Sequence, residues 1–518
     1  MRLLTIFAIL TLLACSESAL ASAPPGETGP SVSISAGKLR GALTPQGEAV
    51  FKGIPFAQPP VGQLRWRAPL PAKPWSGVRD AGAFGPACVQ GGTEGVNSSE
   101  DCLYLNVWTP AWPMKSPAAV MVWIYGGGNF AGAASDPTFD GTNLARHGIV
   151  LVTVNYRLGV FGFLAHPGLT QESPHHVSGN YGLLDQVQAL HWVHDNIAQF
   201  GGDPGKVTIF GESAGSLDIN VLMASPLSEG LFQRVIGESG PVVAPPPLAE
   251  GEKKGLDFAS KMDASGPGAV AKLRGLSSAE LEKATGQGLA FLGPTLGVVV
   301  DGWVFPQPPM KAFAAGHEHH VGLLLGSNSQ ELQKPFFPMP GSNLRQAIAQ
   351  QYGPLANRAL AAYGLNGATD PAPDPELGPA MAQWATDTQF RCGTVAELEW
   401  HTAAGNAAYQ FQFSRSAPGK EPLGAAHGSE VPYVFGTLPA GPRYNDTDRK
   451  ISAEMQTYWT NFAKIGDPND GVEPKWPKFD AAAGSYLDLT DSGPVAKQGL
   501  QRQTCGVYLD LLKQQISQ

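Results

Sequence analysis

The sequence predicts an α/β fold in which a large, mostly parallel central sheet is flanked by helices. Three observations predict it. Several short segments are apolar without alternation, as expected for strands that are buried on both faces. Amphipathic helical patterns lie between some of these segments, and alternating strands and helices produce a parallel sheet covered on both sides. A Gly-x-Ser-x-Gly pentapeptide at residues 211–215 stands between one of the strands and a helix.

The elements follow in chain order from these patterns. Core strands are predicted at residues 118–125, 149–155, 207–210, 235–237, 321–326 and 407–413. A helix is predicted over residues 183–197, where apolar residues recur at an amphipathic spacing. Two segments are richer in helix formers and in Pro/Gly breaks, residues 241–289 and 336–389. We expect them to form helical insertions over the carboxyl edge of the sheet, above the active site.

The N-terminus has the pattern of an export signal over residues 1–23. Arg2 precedes an apolar run that is too short to span a bilayer, and small residues at 19–23 offer signal-peptidase sites. The alternative is a lipoprotein leader that ends before Cys15 and leaves this cysteine lipidated. Residues 24–518 are predicted to form one domain without a membrane span. A net charge of −9 with no Lys/Arg-rich run argues against nucleic acid and anionic membranes as partners.

Four cysteines remain outside the leader, and an even number in an exported protein favours two disulfides. Spacing alone leaves three pairings open. The simplest combines a short Cys88–Cys102 loop with a long Cys392–Cys505 loop. The alternative is four reduced, buried thiols in a cytosolic protein.

The pentapeptide has the pattern of the nucleophile elbow of α/β-hydrolases, with Ser213 as the nucleophile. An apolar strand at residues 206–210 leads into it, and small, apolar helical residues follow it. The helix N-terminus behind the serine favours developing negative charge. The alternative is a strand-to-helix turn with an idle serine, since the chain has 63 glycines.

A serine hydroxyl needs a base, and α/β-hydrolases place the acid and then the histidine downstream of the serine. His427 lies in a loop of small residues between two predicted core segments. The competing histidines lack metal-site spacing or lie on the amphipathic helix, and they are His317, His319, His320, His191 and His194. For the acid, both Glu331 and Asp301 follow apolar runs, so the residues alone leave that choice open.

The oxyanion of an acyl-transfer reaction requires backbone N–H donors. Ala214, directly after the nucleophile, supplies one by position. The glycine triplet at residues 126–128, which ends an apolar strand, supplies the others because no Cβ blocks the approach of a substrate. The competing interpretation is a phosphate cradle, but this loop lacks the Lys-Ser/Thr of a P-loop.

Together these motifs resemble the type B carboxylesterase (cholinesterase-like) family of α/β-hydrolases. The resemblance covers nearly the whole body of the chain. It is carried by residues 51–57, 59–62, 99–108, 125–128, 155–157, 179–185, 200–204 and 211–215. The segment Glu100-Asp101-Cys102-Leu103-Tyr104-Leu105-Asn106 is very similar to a signature of that family.

The resemblance implies roles for individual residues. It implies a catalytic triad of Ser213, His427 and Glu331, where the glutamate lies in a G-x-N-x-x-E loop with Leu332 in place of the usual glycine. The implied oxyanion donors are Gly127, Gly128 and Ala214. The polar residues implied near the triad are Glu212 and Ser239. The implied disulfides are Cys88–Cys102 and Cys392–Cys505, and the implied enzyme uses no cofactor or metal.

The function implied is that of a secreted or periplasmic serine hydrolase that cleaves small-molecule carboxylic esters through an acyl-enzyme. Residues 24–518 would then be a single carboxylesterase catalytic domain. The alternatives are an amidase with the same triad and a non-catalytic adhesion or binding protein of the same fold. The loop between Cys88 and Cys102 has no aromatic residue to bind a quaternary ammonium, so choline esters are not expected.

Asp218 and Asn220 are unusual on the helix after Ser213. Asp218 lies about 140° around that helix from the elbow, which argues against contact with the serine.

Overall fold

A computed structural model describes residues 29–91, 97–285, 296–335, 339, 342–416, 418–419 and 424–517. The predicted leader and Cys15 lie outside these residues. The described strands are β1 (Ser31–Ile34), β2 (Gly37–Arg40), β3 (Ala42–Leu43), β4 (Ala49–Pro55), β5 (Val78–Asp80), β6 (Ala87–Cys88), β7 (Ser98–Ser99), β8 (Tyr104–Thr109), β9 (Ala118–Ile124), β10 (Val150–Val154), β11 (Gly202–Glu212), β12 (Arg234–Glu238), β13 (Gly322–Asn328), β14 (Ala408–Phe413), β15 (Ser485–Thr490) and β16 (Gly493–Gln498).

The described α-helices alternate with the strands over much of the chain. They are α1 (Thr142–Arg146), α2 (Gly159–Phe163), α3 (Pro167–Glu172), α4 (Tyr181–Asn196), α5 (Ala214–Met223), α6 (Leu248–Lys261), α7 (Ala269–Gly275), α8 (Ser278–Thr285), α9 (Pro309–Ala314), α10 (Leu344–Tyr352), α11 (Ala356–Ala362), α12 (Ala380–Thr386), α13 (Cys392–Ala403), α14 (Val431–Phe435), α15 (Asp446–Ile465) and α16 (Arg502–Ile516).

The centre of the molecule is an eleven-stranded sheet of order β16-β15-β14-β13-β12-β11-β9-β10-β8-β4-β3. Neighbouring strands from β10 through β9 and β11 to β15 are parallel. The outer pairs are antiparallel. Because parallel strands end at one edge of a sheet, the segments that follow β9, β11, β13 and β14 are brought together there. The predicted fold class, a mostly parallel sheet flanked by helices, is confirmed.

The predicted core strands correspond to β9 to β14, and their boundaries differ for a physical reason. Strand β11 begins at Gly202, earlier than predicted, because Gly202 also pairs with β9 beyond an irregularity at the polar residues 203–206, which interrupt the apolar pattern. Strands β3, β4, β8, β15 and β16 at the two sides of the sheet were not predicted. The predicted helix over residues 183–197 corresponds to α4, and most of its residues are buried.

The two segments predicted as insertions are helical in their described parts. The first contains α6, α7 and α8, which share a separate apolar cluster with Trp66 and Phe161. The second contains α10, α11 and α12, which pack on α16 at Val507 and Leu511. None of the helices within the described ranges is long and apolar enough to cross a membrane.

Two disulfides are present in the structure. Cys88–Cys102 closes a loop with a sequence separation of 14 residues, and Cys392–Cys505 joins α13 to α16 across a separation of 113 residues. All four cysteines are buried. A crosslink removes more conformational entropy from the unfolded chain when the loop it closes is longer.

We predict that replacing both cysteines of a pair with alanine destabilises the protein unequally. The chain-entropy model gives about 3 kcal/mol for a loop of the shorter size and about 5 kcal/mol for the longer one. Cys392→Ala/Cys505→Ala should therefore lower the free energy of unfolding more than Cys88→Ala/Cys102→Ala does. Urea denaturation of both double variants measures the difference, and an equal or reversed order would contradict the prediction.

Candidate active site

Ser213 lies in a sharp turn between β11 and α5, in a backbone conformation that few residues adopt. Its φ is 56° and its ψ is −125°. The Ser213 N–H donates to the carbonyl oxygen of Glu238 on the neighbouring strand at 2.9 Å, and the Ser213 carbonyl accepts from Leu217 in α5 at 3.1 Å. The turn is therefore held by both elements that it joins, and the serine stands at the N-terminus of the helix.

The two glycines of the pentapeptide are required by the closeness of β9. A Cβ on Gly211 would lie 2.6 Å from the carbonyl oxygen of Ile124, and a Cβ on Gly215 would lie 2.2 Å from the same atom. A Cβ on Gly126, the first glycine of the triplet, would lie 3.0 Å from the Cβ of Ser213. These contacts place the glycine loop directly beside the serine.

The structure brings Ser213, His427 and Glu331 into one chain of hydrogen bonds. His427 Nε2 lies 2.8 Å from Ser213 Oγ, and His427 Nδ1 lies 2.8 Å from Glu331 Oε2. His427 comes from the loop between β14 and α14, and Glu331 follows β13. The His427 N–H also donates to the Glu331 carbonyl oxygen at 3.0 Å, so the two loops are joined through the backbone as well.

The Glu331 loop is held from both ends. The N–H of Asn328 donates to Glu331 Oε1 at 2.7 Å, which leaves Oε2 for the histidine. Leu332, which replaces the usual glycine of the resembled loop, is buried in an apolar contact with Ala385 and Phe390. The leucine therefore has a packing role, and the glutamate is still directed at His427.

Asp301, the other candidate for the acid, lies elsewhere and serves a turn. Its Oδ1 accepts from the N–H groups of Trp303 and Val304 at 3.0 and 2.8 Å, and its Oδ2 accepts from Asn180 Nδ2 at 2.9 Å. Both carboxyl oxygens of Asp301 are therefore occupied by structural hydrogen bonds.

The other candidate ligands do not gather around the serine. His319 Nε2 lies 2.9 Å from the carbonyl oxygen of Ser225, and His191 and His194 are exposed on α4. In the part of the chain that the structure describes, the one group with metal-site spacing is Asp387 with the two cysteines of the longer disulfide. Those sulfur atoms are bonded to each other, so they offer no thiolate to a metal.

Three backbone N–H groups are available for an oxyanion beside Ser213. Ala214 is the first residue of α5, where helical N–H groups have no partner within the helix. Gly127 and Gly128 have φ values of 102° and 66°, which a residue with a side chain rarely adopts. Across the described ranges, none of these three N–H groups donates to a protein acceptor. The arrangement leaves donors free next to a nucleophile.

Buried carboxyl groups surround the His427 imidazole. Glu212 Oε1 lies 3.2 Å from His427 Nε2, and this oxygen has no hydrogen-bond partner in the described part of the chain. Burial raises the pKa of Glu212 to about 7, although the charge of His427 acts to lower it. Burial also raises the pKa of Glu238 to about 8 and that of Glu430 well above its ordinary value, and the neighbouring carboxylates add to both shifts.

The carboxylates of Glu212, Glu331 and Glu430 decide the basicity of His427. Burial alone would lower its pKa, but the charges of Glu212 and Glu331 and the bond to Glu331 outweigh burial and raise the pKa to about 9. Ser239, the other polar residue expected near the triad, is buried with a φ of 53°. Its Oγ has no hydrogen-bond partner within the described residues, so it makes no bond to the triad.

Sequence reasoning missed several residues of this site. The ring of Phe390 lies 4.7 Å from that of His427, and the neighbouring Arg391 donates to the Ser329 carbonyl oxygen at 2.7 Å. Both lie on a single π-helical turn, Asp387–Arg391. Asn328 Nδ2 donates to Glu430 and to the Ala426 carbonyl oxygen, which ties the acid loop to the histidine loop. The resembled motifs contain Asn328 and Glu430, so these two residues could have been found.

Comparisons with known proteins identify the family and the fold. A family model described as "Carboxylesterase family" matches residues 28–508. A fumonisin B1 esterase from Sphingopyxis macrogoltabida is 38% identical over 459 residues, which cover 83% of this chain and 81% of that protein. Carboxylesterase 1D from Rattus norvegicus is 34% identical over 94% of both chains. A solved PNB esterase superposes with a TM-score of 0.80 at 32% identity, over 92% of this chain and 99% of that one.

We predict that Glu212→Gln lowers the pKa of His427, because it removes the nearest negative charge facing Nε2 and leaves the Glu331 contact in place. The downfield NMR resonance of the proton between Nδ1 and Glu331 reports the titration of the ring. Its midpoint should move from about 9 toward lower pH. The exposed Glu250→Gln on α6 is the charge-matched control and should leave the midpoint in place. An unchanged midpoint in Glu212→Gln would show that this carboxylate does not act on the histidine.

Proposed function

Because the chain belongs to the carboxylesterase family and is a carboxylic-ester hydrolase, we propose that it cleaves its esters with a triad of Ser213, His427 and Glu331. The reaction passes through an acyl-enzyme on Ser213. The observation that carries the proposal is the unbroken chain of bonds, with His427 2.8 Å from both Ser213 Oγ and Glu331 Oε2. Nucleophile, base and orienting acid each need this reach.

Acylation begins when Ser213 Oγ attacks the ester carbonyl carbon and its proton passes to His427 Nε2. The carbonyl oxygen becomes an oxyanion, which accepts hydrogen bonds from the N–H groups of Gly127, Gly128 and Ala214. Collapse of the tetrahedral intermediate breaks the bond to the leaving alcohol, and His427 returns the proton to that alcohol oxygen. Ser213 is left as an ester of the acyl group.

Deacylation repeats these steps with water as the nucleophile. His427 Nε2 takes a proton from the water, whose oxygen attacks the acyl carbon, and then returns a proton to Ser213 Oγ. The carboxylic acid leaves, and the enzyme is restored. Glu331 holds Nδ1–H throughout, which keeps Nε2 in the form that accepts a proton.

The buried carboxylates favour the charged histidine that both half-reactions require. Glu331 and Glu212 attract the imidazolium, which is the direction of the raised pKa of His427. A more basic imidazole takes the proton of Ser213 more readily, but below its pKa a smaller fraction of His427 is in the neutral form that can accept that proton. The negative charge of the oxyanion is stabilised by the backbone N–H dipoles and by the N-terminus of α5.

We also propose that the protein is exported and that residues 24–518 form one catalytic domain. The export pattern at residues 1–23 supports this, as do two disulfides, which persist in oxidising compartments. Cleavage after residue 21 or 23 releases the protein, whereas lipidation at Cys15 anchors it. The mass of the mature N-terminal peptide distinguishes these products.

We predict that Ser213→Ala abolishes turnover of a short-chain p-nitrophenyl ester, because water must then attack without the covalent step. The expected loss is at least about 10⁴-fold in kcat. A fluorophosphonate probe should label the unmodified protein and fail to label the variant. Pairing the ester with its p-nitroanilide tests whether an amide is the better substrate. Wild-type turnover by Ser213→Ala would refute the mechanism.

We predict a specific failure for Glu331→Gln. The Asn328 N–H needs an acceptor, so the glutamine carbonyl oxygen turns to it and the amide NH₂ faces His427 Nδ1. Nδ1 must then accept, which places the ring proton on Nε2 and prevents it from taking the proton of Ser213. The kcat should fall by roughly 10³- to 10⁴-fold, as for other triads with a wrong histidine tautomer. The melting temperature, measured by circular dichroism, controls for a general loss of structure, and a variant that keeps more than a tenth of wild-type kcat would contradict this role.

A further inference from the structure

The loop that carries two of the oxyanion donors has an unusual backbone. Gly127, Gly128 and Asn129 have consecutive φ values of 102°, 66° and 62°. Glycine adopts these angles freely, and asparagine does so more readily than most residues with a Cβ. The bonds of the Asn129 side chain are therefore in a position to fix the direction of the N–H groups that precede it.

The side chain of Asn129 is bonded at both of its polar atoms. Its Nδ2 donates to Asp218 Oδ1 at 2.9 Å, and its Oδ1 lies 3.1 Å from the Tyr156 hydroxyl, which shares its one proton with the Tyr125 carbonyl oxygen at 2.7 Å. The Asn129 carbonyl oxygen accepts from the N–H of Gly159 at 2.8 Å. The residue is thereby held against three different elements of the fold.

Asp218 is an unusual partner for this purpose. It lies on α5 with 1% of its surface exposed, and its Oδ2 accepts from Gln186 Nε2 at 2.6 Å. Among the described residues no cationic side chain pairs with it, and burial raises its pKa to about 7. A buried acid without a cation is costly, and an apolar residue would fill the same space with less penalty. Packing alone therefore does not explain an aspartate here.

We propose that Asp218 is a positioning residue that fixes the oxyanion hole through Asn129. Ala214 begins α5, and Asp218 lies in the next turn of the same helix, so the Asp218–Asn129 bond ties the helix that carries one donor to the loop that carries the other two. Gln186 on α4 holds the second carboxyl oxygen and prevents the side chain from swinging away. This inference rests on the proposed function, since it concerns the oxyanion of that mechanism.

Two variants break this bond from opposite sides. Asp218→Ala removes the acceptor, and Asn129→Gly removes the donor while keeping a residue that adopts a φ of 62° without strain. Each should lower kcat by roughly 10- to 100-fold, less than or equal to the loss of one oxyanion donor, with KM changed less than about twofold. A trifluoromethyl ketone that adds to Ser213 forms the same oxyanion, so its Ki should rise by the factor by which kcat/KM falls. The kcat of the double variant should be no lower than that of the less active single variant, because both changes remove the same Asp218–Asn129 bond.

Two further variants separate positioning from general structure. In Asp218→Asn, the new amide can accept from Asn129 and donate to Gln186 Oε1, a buried atom that has no partner in the described part of the chain. This variant should retain kcat within a few-fold of wild type. Asn220→Ala on the same helix removes an equally buried side chain that bonds to Gly240 and Glu397. It should lower the melting temperature without changing the ratio of ketone Ki to KM.

The proposal is overturned if Asp218→Ala and Asn129→Gly keep the wild-type kcat and ketone Ki. It is also overturned if Asn220→Ala changes the ratio of ketone Ki to KM as much as those two variants do. If Asp218→Ala does not fold, Asn129→Gly decides alone. An inactive Ser213→Ala together with fully active Asp218 and Asn129 variants rejects the positioning role and leaves the triad standing. An active Ser213→Ala rejects the proposed function itself.

Discussion

The active site depends on one close approach, between the carbonyl oxygen of Ile124 at the end of β9 and the two glycines on either side of Ser213. A side chain on Gly211 or Gly215 would lie within 2.6 Å of that oxygen, so the chain can turn from β11 into α5 at this place only with glycine at both positions. The same approach brings the triplet after β9 into contact with the serine. Nucleophile and oxyanion donors are thus neighbours because two parallel strands are neighbours, and the loops after β13 and β14 reach the same edge by the same topology.

Burial and the neighbouring carboxylates act in opposite directions on the pKa of His427, and the carboxylates have the larger effect. Removing an imidazole from water disfavours its charged form, whereas Glu212 and Glu331 favour it, and the pKa rises to about 9. The carboxyl groups bear the cost, since burial raises the pKa of Glu212 to about 7. Both pKa values lie above those of the unfolded chain, so the folded site binds protons more tightly. The folding stability that these groups contribute therefore declines as the pH rises from 4.5 to about 7 for Glu212 and from 6.5 to about 9 for His427.

The fold was predictable where one physical signal dominates. Strands buried on both faces show as unbroken apolar runs, which is why β9 to β14 were identified and the antiparallel strands at the sides of the sheet were not. The elbow was predictable because its glycines are required locally. The choice between Glu331 and Asp301 was not predictable from the residues alone, because both follow an apolar run, and it was made only through the family resemblance. In the structure, the pairing of β13 with β14 places Glu331 beside the histidine. Phe390 and Arg391 lie on a π-helical turn, which leaves no periodic signal in the sequence.

The two loops that flank the triad are held in ways that keep additional charge away from the proton transfer. Arg391 holds the acid loop at Ser329, but its charge is matched by Asp387, one turn earlier in the chain and equally buried. Asp218 accepts hydrogen bonds from the amides of Asn129 in the oxyanion loop and Gln186 on α4, and burial raises its pKa to about 7. The charges that raise the pKa of His427 are those of Glu212, Glu331 and Glu430. An uncompensated cation near Glu331 would weaken its hold on the imidazolium, and a full anion near the glycine loop would oppose the oxyanion. The acid loop is supported by an ion pair and the oxyanion loop by an acid whose ionisation is disfavoured by burial, so the proton transfer depends mainly on the carboxylates that contact the histidine and on the backbone donors.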